Sequence, residues 1–545
     1  MAVHPLFCFS KVVFDPRSET SPVPAFLVES TAPLNFDTTE PPLPLPDEFK
    51  DYLKASSLDD IIDALAKAPK PSLLITVHGY NTPRTNALET YAKSFLAVHN
   101  DPEFIKAGVV CIGYRWPLES AGMPQKRAAE AAPGLLLGVL GFGMACALAA
   151  WYYEFTDNLV LLRIILGMAA AFAAVVPLTL FLLRWFAYFR DGYRATNYGV
   201  PDLVDLIREI DAELVKKAPA GRTVDLSFIG HSMGGFVVTN AVRILSDVFA
   251  PEAVEAKYLE PGSDEELKYR EARSRIGSNK SIRLRRLVLV SPDIPGEVLL
   301  SGRGNALESS LIRFKEAHLF CNEGDEVLRS ISTTANFFAL PTRNRRFGYR
   351  LGNVGVLSGG YGVSQDFSLD KLRLGWRTLS ELYKEMGQPQ ASDQGQSEVK
   401  GKCQAETDAQ KRDSFVKMLA YFDCTDSLDD EGRGVVTDAK KNAPPWFLRK
   451  GAPTIVLWLG HARLLLIHLL LKRVDTHSGY FHEKSLVREL IYRMAAIGYN
   501  ASEHAYGDSS AFSEKCKEKQ IKVLIGPKTG TFARVSKAQE VEPVA

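Results

Sequence analysis

The sequence predicts an α/β fold with a mostly parallel central sheet, interrupted by an inserted transmembrane helical hairpin. Three observations predict it. Short β-rich runs alternate with helical patterns, the signature of parallel strands joined by crossover helices. Several runs deliver polar residues at their C-terminal ends, where function collects in such sheets. Two long apolar runs sit side by side between the second and third of those strands.

The first strand is "SLLITVHG" (72–79), and the second is "VVCIGYRW" (109–116); both end in turns. A helical pattern over about 195–215 leads to a strand at "VDLSFIG" (224–230) and a helix at "GGFVVTNAVRILSDVF" (234–249). "RLVLVSPD" (286–293) and "AHLFCNEGD" (317–325) are apolar strands ending in acids, and "VKMLAYFDCTD" (416–426) reads as one more. Unbroken apolar runs of this kind suit strands buried on both faces.

Between 133 and 189 lie "PGLLLGVLGFGMACALAAWYY", a short acidic link, and "LVLLRIILGMAAAFAAVVPLTLFLLRWFAYF". Each run reaches the roughly 20 residues that cross a bilayer. Trp151, Tyr152, Tyr153, Trp185 and Tyr188 lie near the ends, where interfacial aromatics belong. Lys126 and Arg127 precede the pair, and Arg184, Arg190 and Arg194 follow its apolar centre. By the positive-inside rule both outer ends face the cytoplasm, which predicts two spans in the cell (inner) membrane and a cytoplasmic catalytic domain. The net charge of +1 gives no argument for a nucleic-acid partner. Arg343, Arg345 and Arg346 read as solvated loop charge. Seven cysteines without C-x-x-C spacing suit a reducing compartment and give no zinc signal. The N-terminus carries no secretory leader pattern.

The chemistry centres on "FIGHSMGGFV" (228–237). Gly230-His231-Ser232-Met233-Gly234 fits G-x-S-x-G, with a strand before it and a helix after, as a nucleophile elbow requires. Ser232 must sit on a sharp turn to project its hydroxyl above the sheet, and glycines relieve the crowding where strand meets helix. A serine nucleophile needs a base, and the base needs an orienting acid. Asp325, after the "AHLFC" strand, is the favoured acid, and Asp293 competes with it. His477 in "VDTHSGYFHEKSL" is the favoured base, with His482 as the alternative; His461 and His468 lie in an apolar segment and read as packing residues. The oxyanion hole needs two amides. Met233 supplies one, and Tyr80 in "VHGYN" (77–81) supplies the other, while His78 reads as structural.

"VHGYN", "GYRWPLESAG", "FIGHSMGG", "LVLVSPDIP", "NEGDEVLRS" and "THSGYF" together resemble the alpha/beta-hydrolase superfamily. They are most similar to a bacterial branch of uncharacterised hydrolases with a His-Gly-Tyr-Asn turn. That resemblance spans most of 72–490. It implies an alpha/beta-hydrolase fold, a Ser232–Asp325–His477 triad, and Tyr80 and Met233 as oxyanion donors. The chain departs from that pattern in its membrane hairpin, its charged stretch near 250–280, and the long separation of Asp325 from His477. The expected activity is a membrane-anchored serine hydrolase acting on carboxylic esters, with membrane lipids or another acyl ester as substrate. It needs no metal and no organic cofactor. The alternatives are an acyl-thioesterase or protein deacylase with the same machinery, and a membrane scaffold that keeps the fold without turnover.

The expected organisation is an N-terminal extension (1–70), hydrolase core (71–125), the hairpin insertion (126–195), core (196–386), a polar linker (387–413), core (414–500) and a C-terminal tail (501–545). The segment "TIVLWLGHARLLLIHLLLKR" (454–473) is apolar but interrupted by His461, Arg463 and His468. A single crossing there would leave His477 across the bilayer from Ser232, so it is expected to be a lid, a re-entrant piece or an interfacial helix.

Overall fold

The computed structural model describes residues 4–14, 22–32, 51–118, 184–217, 222–246, 274–276, 281–296, 306–332, 350–355, 363–368, 373–378, 418–428, 476–482 and 485–526, apart from isolated positions within and between them. In chain order the first half comprises β1 (Phe7–Val12), β2 (Ala25–Ser30), β3 (Leu53–Ala55), α1 (Leu58–Lys67), β4 (Ser72–Val77), α2 (Arg84–Val98), α3 (Pro102–Lys106) and β5 (Val109–Arg115). After residues 184–194, which are helical, and a π-helical turn (Ala195–Gly199) come α4 (Val200–Lys217), β6 (Val224–His231), α5 (Met233–Leu245), β7 (Arg275–Ile276) and β8 (Ile282–Val290). The remaining elements are α6 (Ala306–Leu311), β9 (Glu316–Cys321), β10 (Val363–Ser368), β11 (Arg373–Thr378), β12 (Leu419–Asp423), α7 (Leu486–Ala496), α8 (Tyr499–Ala505), α9 (Ser509–Glu518) and β13 (Lys522–Ile525).

Eleven of these strands form one sheet, and β10 pairs with β11 in a separate antiparallel ribbon. The centre of the sheet is parallel in the order β2-β5-β4-β6-β8-β9-β12. Its margins are antiparallel: β1 on β2, β3 on β1, and β13 on β12. Every residue of β4 and β5 is buried, as expected for strands covered on both faces. On one face Leu73, Ile75, Leu226 and Phe228 pack with residues of α1, α4, α5 and α6. On the other Leu74, Cys111, Ile229 and Phe320 pack with α2, α3, α7, α8 and α9. Helix α5 buries Val237, Val238, Val242 and Leu245, each contributing about 1.5–3 kcal/mol by leaving water. This holds the helix directly behind the β6 turn.

Two expected boundaries move. Residues 1–70, expected as an extension, supply β1, β2, β3 and α1, and β2 pairs in parallel with β5. The 501–545 tail supplies α9 and β13, which closes the far margin of the sheet on β12. β2 and β13 pair with strands far along the chain, β5 and β12, and β1 and β3 are short strands added beyond β2, so their local sequence carries little signal. The linker at 387–413, the segment at 454–473 and most of the expected hairpin (126–195) lie outside the described residues. Among the described residues, no helix is long and apolar enough to cross a membrane.

Where the start of β9 meets the middle of β8, a buried charge group holds the turn between α7 and α8. The Arg286 guanidinium donates to the Ala496 and Ile497 carbonyls, both at 2.8 Å, and lies 3.7 Å from Glu316. Glu316 accepts from the Tyr499 amide at 3.1 Å and lies 3.4 Å from His318. Burial alone would push the Glu316 carboxyl up, but the His318 hydrogen bond, Arg286 and the Tyr499 amide outweigh it and hold its pKa at about 2. Glu316→Gln leaves Arg286 buried beside a neutral partner and is expected to cost roughly 3 kcal/mol, read as a lower urea midpoint with an unchanged slope. Because the folded pKa is depressed, the wild-type contribution is complete above the ordinary 4.5 and disappears as pH falls toward about 2. The variant's stability should therefore converge on wild type in acid.

Candidate active site

Strand β6 runs into α5 through a single residue. Ser232 holds φ 53° and ψ −123° there, a left-handed backbone that side chains adopt at a cost of about 1–3 kcal/mol. Hydrogen bonds keep it so: its N–H donates to the Val290 carbonyl at 2.9 Å, and its carbonyl accepts from the Gly235 and Asp293 amides at 3.0 Å each. The flanking glycines answer to close approach. A Cβ on Gly230 would stand 2.7 Å from the Gly235 Cα, and one on Gly234 would stand 2.3 Å from the Val77 carbonyl oxygen. The serine is therefore pressed between the ends of β4, β6 and β8, with the positive end of α5 behind it.

Asp325 stands in the turn after β9 with no exposed surface. Its Oδ2 accepts from His477 Nδ1 at 2.6 Å and from the Ser291 hydroxyl at 2.5 Å; its Oδ1 accepts from the Val327 and Leu328 amides at 3.0 and 3.1 Å. Since the carboxylate only accepts, His477 carries its proton on Nδ1, which leaves the lone pair on Nε2, the tautomer a general base requires. The backbone of the histidine is held too. The His477 carbonyl accepts from His231 Nε2 at 3.0 Å, the Thr476 carbonyl from Asn322 Nδ2 at 2.9 Å, and the Thr476 hydroxyl from the Glu326 amide at 3.2 Å. The imidazole stacks obliquely on His231, with centroids 5.0 Å apart, and lies 6.3 Å from the Tyr80 ring. The Ser232 hydroxyl is buried and makes no hydrogen bond among the described residues. Hydrogen bonds between a nucleophile and its base commonly tighten only when substrate binds.

The competing residues have other work. The Asp293 carboxylate lies 3.0 Å from Arg350 Nε and accepts from the Ser332 hydroxyl at 3.1 Å, while its amide braces Ser232. His482 is exposed in the turn before α7. His461 and His468 lie outside the described residues.

The loop after β4 meets the serine from the other side. A Cβ on Gly79 would stand 2.7 Å from the Ser232 Cβ and 3.2 Å from its Oγ, so only glycine allows this approach. The Gly79 carbonyl accepts from His78 Nδ1 at 2.8 Å and from the Thr82 hydroxyl at 3.0 Å. In a trans peptide the N–H points opposite to the carbonyl, so these two donors fix the direction of the Tyr80 amide. Among the described residues, neither the Tyr80 nor the Met233 amide donates to a protein acceptor. His78 is stacked flat on Trp116 at 5.4 Å, and burial drives its pKa down to about 3. Burial also raises the Tyr80 phenol far above its usual range, with Asp293 and Asp325 adding to the effect, so it is not an acid–base group. Among the described residues, no His, Cys, Asp and Glu side chains gather as a metal cage.

Sequence reasoning missed Ser291, Asn322, Thr476 and His231 as supports of the triad. The polar residues closing "LVLVSPD" and "LFCNEGD" are the signal that could have found the first two. Comparison with protein-family models, with curated proteins and with solved structures finds no match to this chain.

Gly79→Ala is expected to push the loop off Ser232 and displace the Tyr80 amide, and, with that amide read as an oxyanion donor, to lower the reactivity of Ser232 toward a fluorophosphonate about a hundredfold or more. Thermal unfolding would show the fold retained. A variant that reacts at the wild-type rate would refute the close approach. The depressed His78 pKa fixes a second expectation. The unfolded state takes up a proton below about 6.5 that the folded state refuses until about 3, so His78 lowers stability progressively across that window as pH falls. In His78→Gln the fall of the melting temperature between those values should be shallower.

Proposed function

We propose that this chain is a membrane-anchored serine hydrolase on an alpha/beta-hydrolase framework, cleaving carboxylic esters, acyl lipids foremost, from the cytoplasmic face. The observation that carries the reading is the buried Asp325–His477 hydrogen bond at 2.6 Å, formed beside a serine held at φ 53° on a strand-to-helix turn. The order of the parts agrees with that framework: nucleophile after β6, acid after β9, histidine after β12.

In the proposed reaction His477 Nε2 takes the Ser232 proton as Oγ attacks the ester carbonyl. The tetrahedral oxyanion is received by the Tyr80 and Met233 amides. Asp325 keeps the imidazole in its Nδ1–H tautomer and stabilises the imidazolium. His477 then returns the proton to the leaving alcohol, and water cleaves the acyl-enzyme by the same relay. Preorganised amides of this kind supply on the order of 10²–10³ in rate per donor. Support for the membrane placement comes from the two apolar runs between 133 and 189, flanked by basic residues and aromatics. Membrane placement favours acyl chains presented from the bilayer. A thioester or a protein-bound acyl group would meet the same machinery.

The test is labelling of the full chain in membranes with a fluorophosphonate probe. Wild type should label and Ser232→Ala should not, with His477→Ala slowed by about 10³-fold or more. A well-folded wild type that never labels would leave the scaffold reading in its place. Phospholipid, p-nitrophenyl ester and acyl-thioester substrates offered side by side then identify the leaving group.

A further inference from the structure

The Tyr80 amide belongs to one peptide plane and the Asn81 amide to the next, so aiming the first requires that both planes be held. The Gly79 carbonyl is held by His78 and Thr82, and the Tyr80 carbonyl accepts from the Thr82 hydroxyl at 3.2 Å. The second plane is held from outside the loop by Asp191. Its Oδ2 accepts from the Asn81 N–H at 2.9 Å, across 110 residues of chain. Asn81 itself has φ 52°, a left-handed conformation that relaxes unless something restrains it.

Asp191 is built for this. Its side chain has no exposed surface, and its other oxygen lies 2.8 Å from Arg190 Nε and 3.9 Å from Arg194. Burial pushes the Asp191 carboxyl up from its ordinary range, and the Arg190 and Arg194 guanidinium groups and the Asn81 amide oppose that rise; contact with cations strengthens a carboxylate as an acceptor. The π-helical turn C-terminal to Asp191 fixes its reach. There Gly199 packs on the Trp116 ring, where an added Cβ would stand 3.3 Å from the indole. The Gly199 carbonyl accepts from the Tyr114 hydroxyl at 3.0 Å. Trp116 in turn donates to the His78 carbonyl at 3.2 Å and stacks on its ring. The helix of 184–194 is thus registered against the same loop through a second route. Three residues before Asp191, Tyr188 lies against Tyr80 edge to face at 5.7 Å and accepts from Arg350 at 3.0 Å.

We infer that Asp191 is a positioning residue that strains and aims the oxyanion loop, and that through it the helix leaving the apolar segment sets the competence of the site. The inference rests on the hydrolase reading. Asp191 touches no reacting atom; it acts through the Asn81 peptide on the direction of the Tyr80 N–H. That donor matters only once charge develops on the carbonyl oxygen, so its loss should appear in kcat and not in KM.

The experiment compares full-length wild type, Asp191→Leu and Asp191→Asn on p-nitrophenyl butyrate, together with inhibition by an alkyl trifluoromethyl ketone that mimics the tetrahedral state. Asp191→Leu keeps the branched skeleton without an acceptor; its kcat should fall about 30- to 300-fold with KM within about twofold, and the inhibition constant should rise by the same factor as kcat/KM falls. Asp191→Asn retains an acceptor and should recover to within about fivefold of wild type. An Asp191→Leu enzyme with kcat within about threefold of wild type, or a loss confined to KM, overturns the inference. So does equal damage in the two variants. If Asp191→Leu does not fold, hydrogen exchange decides: the Asn81 amide of wild type should exchange as slowly as the sheet amides, and exchange within seconds overturns the strap. A wild type that neither turns over nor labels overturns the hydrolase reading, and the inference with it. An active wild type beside an undamaged Asp191→Leu overturns the strap alone.

Discussion

A carboxylate removed from water needs donors around it, and at Asp325 that requirement gathers distant parts of the chain onto one sheet edge. Its four donors come from the end of β8 (Ser291), from its own turn (Val327 and Leu328) and from the segment after β12 (His477). The last lies 152 residues away. Closing so long a loop costs little more than closing a short one, because the entropy grows only with the logarithm of length. Leaving a buried charge short of donors would cost several kcal/mol. The separation in sequence is therefore no obstacle, and the geometry at the carboxylate decides which histidine arrives. Asp293, whose amide donates to the Ser232 carbonyl, has its carboxylate matched by Arg350 at 3.0 Å.

Strain marks the same edge. Among the described residues, four non-glycine positions have positive φ, and three of them are Asn81, Ser232 and Ser291. Each ends a strand of the parallel core or the turn after it, and each is held by a hydrogen bond to another segment: Asn81 to Asp191, Ser232 to Val290, Ser291 to Phe320. The three neighbouring strands β4, β6 and β8 thus each leave the sheet through a left-handed residue. Such conformations persist only where surroundings over-determine them. Here the restraint comes from the packed strands, so the sheet's stability is converted into fixed directions for a hydroxyl, an amide and a supporting donor.

The parallel core was legible because its strands are fully buried and read as unbroken apolar runs, and because G-x-S-x-G needs a strand and a helix that both stand in the sequence. Ser232, Asp325 and His477 were reachable from strand ends and chain order. The margins were not. β1 and β13 owe their existence to partners that no local pattern reveals, β2 for the first and β12 for the second. Thr476 was invisible for a different reason: a hydroxyl beside a charged residue is common, and only coordinates show that this one accepts from the Glu326 amide. Asp191 was hidden by its neighbourhood, since an aspartate between arginines after an apolar run reads as interfacial charge.

The sheet also constrains any membrane topology. β5 ends before the long apolar stretch, and the helix of 184–194 resumes after it against the β4 and β5 loops, on the same rigid body. β12 ends before the segment at 454–473, and His477 resumes after it in contact with β9 and β6 residues. A chain that leaves and rejoins one body in a single aqueous phase crosses a bilayer an even number of times in between. Two apolar runs satisfy that condition between β5 and residue 184, whereas one run between β12 and His477 does not. The contact between Asp325 and His477 therefore does more than orient a base. It requires that any bilayer crossings between β12 and His477 be even in number.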